Sequence, residues 1–304
     1  AMGQISDKLK SMAVSEERVA YNEANNNGLI IRENYIPEEL LCEILCYVDH
    51  KTLCNCQLVC KQWLELIQGY VWRKKAERTL GKTLPVDENA PWTMYYFICD
   101  KKAFGRNLIK NHSGKTRVNS DWTILNDGGD GWKVENPPVG VPALPDDPVF
   151  EGKQSCFVTS YGRCWKQQTI DLLDEGFTEY LLDNLQPTIK VSEWYSSRWD
   201  CPALYVCTIE LLKKSEGFND VILPSYNFSK ILEGEEQNQW FKFEHEFKNY
   251  GPGLRKIRFS HGGQDRSFWS GYYGSKMAGA CVKLEIPDFH HNDDSEEVDI
   301  AKQD

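Results

Sequence analysis

Ile36-Pro37-Glu38-Glu39-Leu40-Leu41-Cys42-Glu43-Ile44-Leu45, followed by Val59-Cys60-Lys61-Gln62-Trp63 and then Trp72, sets the organisation of the whole chain. Proline fixes its own φ and has no amide donor, so Pro37 suits the first turn of a helix. Glu38 and Glu39 then sit at the positive end of that helix's dipole. Leu40, Leu41, Ile44, Leu45 and Val48 recur at three- and four-residue spacing, which predicts one apolar stripe. Thr52 predicts the cap of a second helix through about Cys60, and a third is expected from about Lys61 to Leu80 with Trp63, Leu66, Ile67, Tyr70, Val71 and Trp72 as its apolar residues. Three short helices in roughly 45 residues bury too little surface to stand comfortably alone. An exposed apolar face is therefore expected, either for a separate partner or, as in an ordinary helical hairpin, for the next domain.

Downstream, residues 81–107 contain Pro85, Pro91 and the aromatic cluster Trp92, Tyr95, Tyr96 and Phe97. That composition is unlike a flexible Gly/Ser linker and predicts a clamp holding two domains in a fixed relation. From Trp122 the pattern shifts to alternation, in Cys156–Tyr161, Ala203–Ile209, Lys256–Phe259 and Cys281–Ile286. Glycine-rich segments separate these runs: Asp127-Gly128-Gly129-Asp130-Gly131, Gly251-Pro252-Gly253 and His261-Gly262-Gly263-Gln264-Asp265, each read as a turn. Many short strands with few helices predict an antiparallel β-sandwich, broken by one helical patch around Leu172 to Leu185. The fold class is thus α+β and multidomain.

Composition sets the outer limits. At 304 residues the chain exceeds the usual single core. Its net charge is −10, but residues 288–304 alone hold seven acids and one Lys, so the body is close to neutral. The absence of a basic stripe argues against a nucleic-acid partner, and the tail reads as an acidic, disordered end. No apolar run is long enough to span a bilayer and the N-terminus lacks secretory-signal features, so a cytoplasmic protein without membrane insertion is expected. The eleven cysteines include no C-x-x-C pair, consistent with free thiols in a reducing compartment. Cys42, Cys46, Cys54, Cys56 and Cys60 cluster with His50, which leaves two readings, a metal site or small buried hydrophobes. Paired zinc-ligand spacing is missing, so neither a metal nor a cofactor is expected.

The Pro37, Val59-Cys60 and Trp63/Trp72 placements resemble an F-box. Arg106-Asn107-Leu108-Ile109-Lys110-Asn111, Gly128-Gly129-Asp130-Gly131-Trp132-Lys133-Val134-Glu135, Asp174-Glu175-Gly176 with Leu181-Leu182-Asp183, and His261-Gly262-Gly263-Gln264-Asp265 resemble the F-box-associated domain of the F-box-only glycoprotein receptors. The likeness covers about Pro37 to Ile286. It implies a flexible N-terminus (1–33), an F-box (34–80), a linker (81–106), a jelly-roll, lectin-like sandwich (107–287) and the acidic tail (288–304). It also implies a non-catalytic subunit that docks on a Skp-type adaptor, and through it a cullin-RING ligase, by way of Ile36, Pro37, Leu40, Leu41 and Leu53. The sandwich is implied to bind the chitobiose and core mannoses of N-glycans on misfolded glycoproteins bound for ER-associated degradation. The implied sugar site falls on Tyr161, Asp200, Phe268, Trp269 and Ser270.

That chemistry is reasonable in itself: a pyranose stacks its C–H face on an indole such as Trp269 and offers hydroxyl donors to a carboxylate such as Asp200. Where glycan-binding relatives carry Tyr-Trp-Lys, this chain has Phe268-Trp269-Ser270, losing a phenolic hydroxyl and an ammonium donor. At about 0.5–1.5 kcal/mol per neutral hydrogen bond and more for a charged one, binding weakens by about tenfold or more. Two alternatives stand beside the glycan site: Phe268 and Trp269 buried inside the sandwich, or loops that recognise a non-glycan protein surface. An enzyme finds little support, since there is no nucleophile elbow or phosphate loop. His261 beside two glycines, and Asp130 with Asp265, are read as turn residues.

Overall fold

The computed structural model describes residues 28–213 and 220–286. Residues 1–27 of the N-terminal segment expected to be flexible (1–33), and the acidic tail expected to be disordered, lie outside the described residues. A small hairpin, β1 (Ile30–Ile31) with β2 (Asn34–Tyr35), leads into Pro37. α1 (Glu38–Tyr47) begins immediately after it, with Glu38 and Glu39 in its first turn. Its apolar residues form two faces rather than one stripe. Leu41, Cys42, Leu45 and Cys46 are buried, whereas Leu40, Ile44 and Tyr47 are 55%, 51% and 77% exposed.

α2 (His50–Cys56) is capped by Asp49, whose carboxylate accepts from Lys51 N and Thr52 N at 3.1 and 3.0 Å. Thr52, expected as the cap, lies in the first turn instead, and the helix stops short of Cys60. The expected third helix is a single rod in three parts: α3 (Lys61–Leu66), a π-turn over Ile67–Val71, and α4 (Trp72–Leu80). Gly81, at φ +67°, ends it in the left-handed conformation that a glycine adopts without steric cost.

The segment 81–106, read as a linker, contains a helix of its own, α5 (Trp92–Lys101), because its aromatics have a core to enter. Trp72 stacks on Trp92 at 5.9 Å and meets Tyr96 edge-on at 5.5 Å.

Ten strands build the sandwich: β3 (Thr123–Asp127), β4 (Lys133–Glu135), β5 (Cys156–Val158), β6 (Cys164–Asp171), β7 (Thr188–Ser196), β8 (Ala203–Lys213), β9 (Val221–Leu232), β10 (Phe241–Phe247), β11 (Leu254–Asp265) and β12 (Lys276–Glu285). They form two sheets, ordered β10-β7-β12-β5-β4 and β3-β6-β11-β8-β9, in which the neighbours are antiparallel. Burial alternation along β6, and along β8 as far as Leu211, identifies the inward and outward faces. The chain leaving α5 is tied to β12: Gly105 N and Leu108 N donate to Leu284 O and Val282 O at 3.0 and 2.9 Å. Most buried residues of the helices and the sandwich make one continuous core, beside a small separate cluster of Leu144, Phe150, Cys156 and Ala278.

Two local readings are corrected. The patch around Leu172 to Leu185 is helical only near its end, in a π-turn over Leu181–Leu185. The His261–Asp265 segment is no turn but the last part of β11. Its glycines answer to crowding: a Cβ on Gly262 would sit 2.0 Å from Cys164 O, and one on Gly263 2.0 Å from Leu204 O. His261 is fully buried between the sheets, stacked on Trp122 at 4.4 Å, with Nδ1 2.7 Å from Glu193 Oε1. Tyr205 donates its hydroxyl to the same carboxylate. His261 therefore belongs to a structural polar network.

Candidate binding site at the loop end of the sandwich

In both sheets β3, β5, β7, β9 and β11 run in one sense, so the loops that follow them converge at one end. Backbone bonds lock that end: Asp265 N donates to Ser160 O at 2.9 Å, Gly274 N to Thr159 O at 3.0 Å and Arg266 N to Pro202 O at 2.9 Å. The structure brings all five expected sugar-site residues here. Tyr161 and Phe268 meet at 6.3 Å between ring centroids. Trp269 meets Tyr273 edge-on at 5.5 Å, and the Arg198 guanidinium lies 4.5 Å from the Tyr273 centroid. Phe268 and Trp269 are 77% and 45% exposed, which removes the reading that buried them in the sandwich. Ser270 is exposed beside them.

The loop carrying these rings is held by two carboxylates. Asp265, fully buried, accepts from Ser267 N at 3.0 Å and Phe268 N at 2.7 Å. Asp130 accepts from Gly271 N at 2.6 Å across from the β3–β4 loop. Phe268 is thereby fixed at φ +57°, a conformation that costs a bulky residue of order 1–3 kcal/mol and is kept where surrounding contacts over-determine it. The two aspartates act as pins for the loop.

Asp200, expected as a free acceptor for sugar hydroxyls, is already engaged. Arg198 Nε and Nη2 each donate to it at 2.8 Å, and this pairing holds its carboxyl below the ordinary aspartate range. Its remaining lone pairs are what a ligand would find. Sequence reasoning missed Arg198, Tyr272 and Tyr273; the aromatic density of Phe268-Trp269-Ser270-Gly271-Tyr272-Tyr273 was the available signal. Lys133 adds a cation 5.1 Å from the Tyr272 centroid, and Trp199, 65% exposed, extends the aromatic surface.

In the N-terminal helices the expected adaptor residues separate. Pro37 and Leu40 are exposed and Ile36 is half-buried, but Leu41 and Leu53 are 1% and 0% exposed and belong to the helical core. The physical reason is the split of α1 into two faces: Leu40 and Leu41 are neighbours in sequence and point about 100° apart on a helix of 3.6 residues per turn. Exposed apolar side chains of the helical region include Leu40, Ile44 and Tyr47 on α1, and Val59 and Tyr70 beyond it. Of the cysteine cluster, Cys42, Cys46 and Cys60 are buried. Burial pushes the thiols of Cys42 and Cys54 up to about 11.

Two family models match this chain: F-box-like over residues 34–78 and F-box associated region over residues 99–284. F-box only protein 2 of Bos taurus is 36% identical, with 82% of this chain and 83% of that protein aligned. F-box only protein 6 of Rattus norvegicus is 35% identical over 83% of this chain and 87% of its own length. Among solved structures, TmCBM61 in complex with β-1,4-galactotriose aligns with 60% of this chain and 100% of its own at a TM-score of 0.34 and 12% identity, too distant to bear on ligands.

Proposed function

Because the chain belongs to the F-box-only proteins that join an F-box to an F-box-associated region, we propose that it is the non-catalytic substrate receptor of an SCF-type ubiquitin ligase. The helical plug docks on a Skp-type adaptor, and through it a cullin-RING ligase, by the face that exposes Leu40, Ile44 and Tyr47. The sandwich turns its loop end to N-glycosylated proteins and holds the chitobiose and core mannoses of misfolded glycoproteins, in the cytoplasm, for ER-associated degradation. One observation carries this reading: exposed Phe268 and Trp269 stand on a loop pinned by Asp130 and Asp265, beside Tyr161, Tyr273 and the Arg198–Asp200 pair. A flat apolar ring next to fixed polar groups suits a pyranose, which has both an apolar face and hydroxyls.

A glycan array probed with the full chain bound to its adaptor tests this. Selective signal on high-mannose and chitobiose-bearing glycans supports the reading; a blank array with an intact adaptor complex opposes it. The second reading, a receptor for a non-glycan protein surface, is favoured by one feature: Ser270 supplies only a hydroxyl and Asp200 is occupied by Arg198, while Trp199 and Phe268 expose broad apolar rings.

A further inference from the structure

The outer face of the β3-β6-β11-β8-β9 sheet carries a pocket of about 200 Å³ next to the loop end, lined by Arg163, Trp165, Leu204, Val206 and Gln264. Strand alternation puts these side chains outside: Cys164 and Lys166, Ala203 and Tyr205, and His261 and Asp265 are all buried between the sheets, so the residues beside them face out. Trp165 pairs with Gly262 across the strands. A Cβ on Gly262 would stand 2.9 Å from Trp165 Cε3, so the missing side chain is what lets the indole lie over β11. The Arg163 guanidinium rests 5.8 Å from the Trp165 centroid. Among the described residues, the Arg163 guanidinium, the Trp165 indole N–H and the Gln264 amide have no protein hydrogen-bond partner, and none of these groups is sealed from solvent.

We infer that this pocket is a second sugar subsite, which receives an outer, uncharged pyranose of the glycan whose inner units rest on the loops. The inference depends on the glycan reading above. The chemistry supports a sugar over a peptide: an indole offers a C–H stacking surface, three unpaired donors and the Gln264 carbonyl match ring hydroxyls, and an apolar peptide side chain would leave those donors unpaired. The pocket falls below the roughly 300–1,000 Å³ typical of sites for drug-sized ligands, which fits one ring. Tyr161 precedes Trp165 by four residues, at most about 13 Å of extended chain, so the two subsites lie along one path.

Full-length chain bound to its adaptor is titrated with chitobiose and, separately, with a high-mannose N-glycan, comparing wild type with Trp165→Ala, Trp165→Phe and Gln264→Ala. Trp165→Ala is expected to weaken the high-mannose glycan about tenfold, the scale of one aromatic contact, and to leave chitobiose unchanged. Trp165→Phe recovers part of the loss, and Gln264→Ala, which removes a side chain without protein partners, gives a smaller selective loss. Equal losses on both probes, or no loss on either, overturn the subsite while the loop site stands. A wild type that binds neither probe overturns the loop reading and the subsite with it.

Discussion

Arg198 grips Asp200 through two 2.8 Å hydrogen bonds, and both side chains are largely shielded, at 15% and 19% exposure. The pair is therefore worth more than the 0–1 kcal/mol of an exposed ion pair, and a double-mutant cycle with Arg198→Ala and Asp200→Ala should give a coupling of about 1–2 kcal/mol in urea unfolding. Its pH dependence follows from the depressed Asp200 carboxyl. The stabilisation is fully present above the unfolded value near 3.9 and is lost as pH falls through the lower folded value. Stability and ligand binding contributed by this pair should stay level from neutral pH down to about 4; a loss attributable to Asp200 between pH 7 and 5 would contradict the pairing.

The two faces of α1 should separate by mutation. Leu40→Ala with Ile44→Ala removes exposed side chains and is expected to abolish adaptor co-purification with little change in melting temperature. Leu41→Ala opens a cavity in the core and should cost about 2–5 kcal/mol of stability. Thermal melts alongside adaptor pull-downs decide this, and undiminished adaptor binding by the Leu40/Ile44 variant would remove that face from the interface.

Gly262→Ala places a methyl 2.0 Å from Cys164 O, which neither strand can relieve without shifting. Overpacking of this kind costs typically about 1–3 kcal/mol and more against backbone, so the variant should unfold at clearly lower urea. Wild-type stability would mean that β6 and β11 do not approach so closely.

Much of the helical plug was legible because Pro37 and the leucine spacing are local signals. Which leucines face a partner was not, since adjacent Leu40 and Leu41 look alike until packing takes one of them. The β11 end misled for the opposite reason: two glycines erased the period-two pattern, and their cause, crowding by Cys164 and Leu204, is non-local. The aromatics of 268–273 were visible in sequence, whereas the Arg198 brace on Asp200 and Tyr273 depends on loops that meet only in the fold.

Lys166 is fully buried, its Nζ has no hydrogen-bond acceptor, and burial pushes its pKa well below the ordinary 10.5. The unfolded chain then holds the proton more tightly than the folded one, so stability rises with pH up to the unfolded value, and the penalty is greatest at low pH. Lys166→Met should raise stability by about 1–3 kcal/mol at neutral pH and flatten that rise. Urea titrations at pH 6 and 9 check it; a variant less stable than wild type at pH 6 would mean that the Trp122, Trp132 and Phe157 rings around Nζ more than offset the cost of its burial.

Calorimetric titration of a high-mannose N-glycan into the adaptor-bound full chain tests glycan recognition at the loop end most directly, with Trp269→Ala and Ser270→Lys as companions. Wild type should bind weakly and Trp269→Ala not detectably, with fold and adaptor complex intact, because an aromatic anchor dominates such a site. Ser270→Lys should bind about tenfold tighter by adding a charged donor. No heat from wild type, and none restored by Ser270→Lys, would contradict the glycan site and leave the receptor for a non-glycan surface in its place.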